Sequence, residues 1–289
     1  MRVTRRGLLA GGALGVGTAV GAGALVEYDV LPGRTRAYDL LGLDGGDGVI
    51  PDVPTGSVER GELDGLGWRI FHPPGEPTRL PVVVALGGAH QRVESLENDL
   101  GLGAFLAASG ERFAIAGIEG EGSYWHPRKD GSDTGRTVLE HFLPLLGERG
   151  LDMTRPGFLG WSMGGYGALL LATERVEAGQ PVGPIAATSP AVWTSYGDST
   201  GGAFDSQEDF DEYGIFGRTD LLDGLDVRID CGRGDPFYRN VVELTGRVEA
   251  DVHLEAGDHT AGYWTRVLPA QLAWLGGRLT AEESAADAQ

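Results

Sequence analysis

The clearest pattern in the chain is a short apolar, β-branched run, Pro81-Val82-Val83-Val84-Ala85-Leu86. A run this short and this continuous predicts a strand covered on both faces. Before it, Gly56 to His72 alternates enough to predict one or two edge strands, closed by Pro73-Pro74-Gly75. After it, strand and helix patterns take turns. Glu94 to Ser109 reads as a helix, Phe113 to Gly117 as a strand, and Glu119 to Gly135 as a polar, aromatic loop. Thr137 to Gly147 reads as an amphipathic helix carrying Val138, Phe142, Leu143 and Leu146. A strand at Gly157 leads to a helix after Ser162. Pro184 to Thr188, Val227 to Cys231 and Val252 to Glu255 are further strands. Pro236 to Val248 and Gly262 to Leu279 are further helices. This alternation predicts an α/β fold, a mostly parallel sheet with helices on both faces and right-handed crossovers. Residues 190–224 break the rhythm. They are polar but carry Phe204, Phe210, Tyr213 and Phe216. They are expected as a cap-like insertion over the carboxyl edge of the sheet, where such folds place ligands.

One strand-to-helix junction carries chemistry. The apolar run at Phe158-Leu159 enters Gly160-Trp161-Ser162-Met163-Gly164, and a small-residue helix pattern leaves it. That is the form of a nucleophile elbow, a tight turn that lifts a serine hydroxyl above the sheet. The bare pattern carries little, because glycine fills 49 of 289 positions. A second match, Gly197-Asp198-Ser199-Thr200-Gly201, lacks both the strand before and the helix after, and reads as a surface loop. The context the motif requires selects Ser162.

A serine hydroxyl needs a base, and the base needs an acid to orient it. In chains of this kind the acid and then the histidine follow the serine. Of the six histidines, His72, His90, His126 and His141 precede Ser162. His253 falls inside a predicted strand and is expected to point into the sheet packing. His259 follows the last strand and is the candidate base. Asp235 follows the penultimate strand, directly before Pro236, and is the candidate acid; a plain helix cap is its competing role. Asp230 is the runner-up, within the strand. An oxyanion hole needs two backbone N–H donors. Met163 is expected to supply one. The loop Gly87-Gly88-Ala89-His90 is expected to supply the other, from Ala89 or alternatively Gly88.

Composition narrows the remaining possibilities. The net charge is −19 and the pI about 4.6. Such a surface repels phosphate backbones and anionic lipid headgroups, so nucleic acid is not an expected partner. Cys231 is the only cysteine, which rules out an intrachain disulfide and suits a buried thiol. No metal-binding spacing of histidine or cysteine occurs, and neither metal nor cofactor is expected. The N-terminus carries Thr4-Arg5-Arg6-Gly7-Leu8-Leu9, resembling a twin-arginine export signal. An uncharged, glycine-rich stretch follows to Val26, with Ala22-Gly23-Ala24 as a small-residue cleavage site. Residues 1–24 are therefore expected to engage the twin-arginine export machinery and to place the protein outside the cytoplasm, with an uncleaved anchor as the alternative. Residues 25–55 are expected as a flexible linker, 56–280 as the catalytic domain and 281–289 as a disordered tail.

Three segments carry a resemblance: Leu159 to Leu169, Cys231-Gly232-Arg233-Gly234-Asp235-Pro236-Phe237, and Gly257-Asp258-His259-Thr260-Ala261-Gly262-Tyr263-Trp264. With them the chain resembles the putative-esterase branch of the α/β-hydrolases, which includes S-formylglutathione hydrolases, feruloyl esterases and mycolyltransferases. The resemblance spans roughly residues 55–280, a single-domain size. It implies an α/β-hydrolase fold with Ser162 as nucleophile, Asp235 as acid and His259 as base. One departure is visible: Gly87 stands where many esterases carry a histidine before glycine. Tyr124-Trp125-His126-Pro127 and the 190–224 insertion are expected to wall the pocket. Trp125, Trp161 and Trp193 are the candidate substrate contacts, with plain packing the competing role for Trp125, Trp193 and Phe204. The expected activity is hydrolysis of a small-molecule, glycan or lipid ester through an acyl-serine. The alternatives are acyl transfer to a sugar or lipid alcohol, and a non-catalytic binding scaffold.

Overall fold

The computed structural model describes residue 42, residues 44–75 and residues 79–286, with side chains through residue 280. The expected export segment, residues 1–24, and the start of the expected linker lie outside the described residues. Eight strands form one sheet in the order β1-β2-β4-β3-β5-β6-β7-β8. The edge strands β1 (Val58–Leu63) and β2 (Leu66–Phe71) form an antiparallel hairpin, and β2 pairs antiparallel with β4 (Ala114–Ile118). From there β3 (Pro81–Leu86), β5 (Asp152–Trp161), β6 (Ile185–Thr188), β7 (Val227–Gly232) and β8 (Asp251–Glu255) run parallel. The apolar run at Pro81 lies at the centre, where both faces are covered. Successive residues alternate between two cores. Val82, Val84 and Leu86 enter one core and Val83 and Ala85 the other.

Helices fill both faces. On one side lie α1 (Val93–Asn98), α2 (Leu102–Ser109) and α8 (Ala261–Ala286), which bury Leu96, Leu106, Leu268 and Leu272. On the other lie α3 (Thr134–Arg136), α4 (Leu143–Glu148), α5 (Met163–Glu177) and α7 (Tyr238–Thr245). A π-helical turn, Thr137–Phe142, joins α3 to α4. The apolar face expected over Thr137 to Gly147 is the one buried: Val138, Phe142, Leu143 and Leu146 are all in the core.

Three expectations change. The helix predicted over Glu94 to Ser109 is two helices, because Gly101 adopts a left-handed φ of 60°. Ile50 packs directly against its α-carbon, where a side chain would clash. Residues 44–55, predicted as linker, are tied to the domain. Gly48 donates its N–H to the Gly262 carbonyl at 2.8 Å, and Arg266 Nη1 donates to the Asp44 carbonyl at 2.9 Å. A glycine-rich, polar composition suggests a free chain, but these bonds, with a further one from Arg266 to the Gly46 carbonyl, fasten residues 44–48 to α8. Finally, α8 continues to Ala286, six residues into the segment expected as a tail.

The 190–224 insertion contains α6 (Gln207–Tyr213) and three short 3₁₀ turns. It is a packed wall, with Ala203, Phe204, Ile215 and Leu222 buried. Arg128 pins it by donating to the Ala203 and Gly202 carbonyls and to Asp205. The Tyr166 hydroxyl donates to the Tyr213 carbonyl. The His126 ring lies between Phe204 and Tyr213, with Nε2 2.9 Å from the Ala203 carbonyl oxygen. Burial pulls the His126 pKa down, against the pull of its carbonyl partners.

Candidate active site

Ser162 sits at the junction of β5 and α5 with φ 57° and ψ −119°, a conformation disfavoured for any side chain. The chain holds it there from both directions. Its N–H donates to Thr188 at the end of β6, and its carbonyl accepts from Tyr166 and Ala191. The flanking glycines are required by contact. A Cβ on Gly160 would stand 2.0 Å from the Gly164 carbonyl oxygen, and one on Gly164 would stand 1.9 Å from the Leu86 carbonyl oxygen. No side chain fits at either glycine.

Two loops at the carboxyl ends of β7 and β8 reach the serine. His259 Nε2 is 2.8 Å from Ser162 Oγ, and His259 Nδ1 is 2.8 Å from Asp235 Oδ2. The other Asp235 oxygen accepts the Phe237 N–H at 2.8 Å, so the carboxylate is fully buried and fixed. The imidazole is held edgewise between Phe237 and Trp264, with ring centroids at 5.3 and 5.2 Å. Trp264 is in turn anchored through its Nε1, which donates to Ser189 Oγ. With Nδ1–H donating to the carboxylate, Nε2 is left as an acceptor for the serine proton.

The oxyanion candidates lie alongside. Met163 is the first residue of α5, where no intrahelical acceptor exists for its N–H. In the loop after β3, the Gly88 N–H donates to Gln91 Oε1 at 2.6 Å. That occupies the Gly88 donor and leaves Ala89 as the second candidate. The loop passes close to the elbow: a Cβ on Gly88 would meet Ser162 Cβ at 3.5 Å.

Neither the scan of protein families nor the search of curated proteins finds a match for this chain. Solved structures do match. A ferulic acid esterase superposes with a TM-score of 0.64 at 18% identity, covering 76% of this chain and 97% of that one. An S-formylglutathione hydrolase from Agrobacterium tumefaciens gives a TM-score of 0.61 at 18% identity, over 77% and 94%. A fluorophosphonate-binding serine hydrolase of Staphylococcus aureus gives 0.63 at 15% identity, over 78% and 99%. The chain has the α/β-hydrolase fold.

Within this α/β-hydrolase fold, the residues proposed from sequence separate into two groups. Ser162, His259 and Asp235 converge at one rim, Met163 follows the serine directly, and Gly88 passes beside it with Ala89 next in the same loop. Trp125 and Trp161 do not face it. Trp161 follows the pleat of β5 into the core beneath α8, and Trp125 packs its ring against Gly167 of α5 and against Gly120. Both have 0% exposure, so neither offers surface to a substrate. Trp193 is in contact with the site region, through Phe237, which borders His259. Tyr124 and Phe204 complete that aromatic wall. Burial pushes the Tyr124 phenol up, against the attraction of Arg128.

The runner-up acid is committed elsewhere. Asp230 is chelated by Arg228 and also accepts from Gln271 Nε2 of α8, in a buried network. His253 lies on the edge strand β8 beside Asp251, partly exposed rather than turned into the sheet packing as expected. Ser199 belongs to a surface turn, where its hydroxyl donates to the Tyr196 carbonyl. The contact that sequence reading missed is Gln91. Its only signal was its place three residues after Gly88, the spacing of a turn. Among the described residues, no group of three or more His, Cys, Asp or Glu side chains is arranged to hold a metal ion.

Proposed function

We propose that this protein is an exported serine hydrolase that cleaves carboxylic esters through an acyl-serine intermediate. One observation carries the reading: the continuous line from Ser162 Oγ through both nitrogens of His259 to Asp235, at 2.8 Å per step. The esterase folds of the structural neighbours support it.

The chemistry follows from the geometry. His259 Nε2 takes the Ser162 proton as Oγ bonds to the ester carbonyl carbon. The carbonyl oxygen becomes an oxyanion beside the Met163 and Ala89 N–H groups. Collapse breaks the ester C–O bond, and the departing alkoxide takes the proton from Nε2. A water then gives its proton to Nε2, attacks the acyl carbon and releases the acid, and Ser162 regains its hydrogen. Asp235 keeps the ring in the productive tautomer and stabilises its cationic form throughout.

Ser162→Ala tests the reading. Hydrolysis of a short aryl ester should fall by about 10⁴–10⁶-fold in kcat. Undiminished activity would reject it. Adding an alcohol and analysing the products separates hydrolysis from acyl transfer. Export rests on Arg5 and Arg6. Replacing both with lysine should retain the protein in the cytoplasm, and unchanged export would remove that part of the proposal.

A further inference from the structure

The two glycines after β3 create a problem that the hydrolase reading leaves open. Peptide planes in a Gly-Gly loop rotate easily, so the amide that faces the serine is not fixed by the loop's own sequence. Gln91 fixes it from two sides. Its side-chain Oε1 accepts the Gly88 N–H at 2.6 Å, and its own backbone N–H donates to the Gly88 carbonyl at 3.2 Å. That carbonyl belongs to the same planar unit as the Ala89 N–H. In a trans peptide the two point in opposite directions. Holding the carbonyl toward Gln91 therefore turns the Ala89 N–H away from Gln91. His90, at φ 62°, supplies the left-handed step that closes the turn. Gln91 must present oxygen rather than nitrogen here, because Gly88 offers a donor.

We propose that Gln91 is the positioning residue of the oxyanion hole, locking the Gly88 and Ala89 peptides so that Ala89 donates to the developing oxyanion. The proposal rests on the serine-hydrolase reading. It predicts a defect in the chemical steps and not in substrate binding, since the oxyanion exists only in the tetrahedral intermediates and the transition states beside them.

The test compares purified full-length Gln91→Met, which keeps side-chain length but removes the acceptor, with Gln91→Glu, which keeps an acceptor. Both are assayed on a short aryl ester beside wild type and Ser162→Ala. For Gln91→Met, kcat should fall about 10–100-fold while KM stays within about threefold, part of the loss seen when a whole oxyanion donor is removed. Gln91→Glu should lose less than about tenfold. Should the methionine variant not accumulate, Gln91→Ala takes its place with the same expected loss. Wild-type kcat in Gln91→Met, or equal losses in the Met and Glu variants, overturns the role of Gln91 and leaves the hydrolase reading standing. Wild-type hydrolysis that survives in Ser162→Ala, or no hydrolysis by wild type, overturns both.

Discussion

Arg228 grips both oxygens of Asp230, at 2.8 Å from Nε and 2.7 Å from Nη2, five residues before the carboxylate that holds His259. Two aspartates from one strand-loop segment thus do different work. Asp235→Asn should leave stability near wild type and lower kcat about 10⁴-fold, because the imidazole loses its orienting acceptor. Asp230→Asn should do the reverse. It leaves a buried guanidinium without its charge partner, at about 3 kcal/mol of stability, with kcat of the folded protein within a few-fold of wild type. Urea unfolding and steady-state kinetics on the two variants check the split. Equal effects on both readouts would refute it.

The backbone at Ser162 is strained, with φ 57° on a residue that carries a side chain. Strain of this type costs about 1–3 kcal/mol, and glycine relieves most of it. Ser162→Gly should therefore stabilise the protein by about 1 kcal/mol while abolishing hydrolysis. A lower melting temperature than wild type would show that the turn is unstrained.

Trp125 and Trp161 belong to the core and Trp193 to the aromatic wall beside Phe237. Alanine at Trp125 or Trp161 should cost about 3–5 kcal/mol, the usual cost of a large cavity. The ranking of aryl esters by kcat/KM should not change. Trp193→Leu should alter that ranking, since the wall it forms borders His259. Unchanged selectivity in Trp193→Leu would remove it from the substrate site.

Burial pushes the Glu174 carboxyl up to about 7, with Arg218 pulling it down and Asp133, Glu177 and Glu212 adding to the rise. The folded state therefore holds this proton more tightly than the unfolded chain, whose glutamates titrate near about 4.3. The resulting stability is present in full below that unfolded value. It is lost as pH rises to about 7 and changes no further above it. Glu174→Gln stays neutral at every pH. Its gain over wild type should be near zero at acid pH and reach about 3–4 kcal/mol above neutrality. A gain that does not vary with pH would show that Glu174 ionises normally.

Much of the fold was legible because its signals are local. The continuous apolar run at Pro81, and the alternation of strand and helix, require nothing beyond short stretches of chain. The elbow was legible for the same reason, since Gly160, Ser162 and Gly164 are all needed within one turn. His259 and Asp235 were reachable through chain order. The helix break at Gly101 was harder to read: glycine permits the left-handed φ of 60°, but in a chain with 49 glycines the residue type alone does not say which one ends a helix. Trp161 was misassigned because proximity in sequence to Ser162 says nothing about which face of the sheet a ring enters, and Trp125 because the composition of a loop does not say whether its rings turn toward a pocket or into the core.

The sequence by itself determined the kinds of element, their order and the elbow that carries Ser162, since each follows from residue type and near-neighbour spacing. Only the tertiary structure decided which of two aspartates meets the imidazole, which tryptophans are walled off from solvent and which amide in the Gly87-Gly88-Ala89 loop Gln91 leaves free. Those outcomes depend on direction and contact between segments far apart in the chain, and short-range patterning carries no information about either.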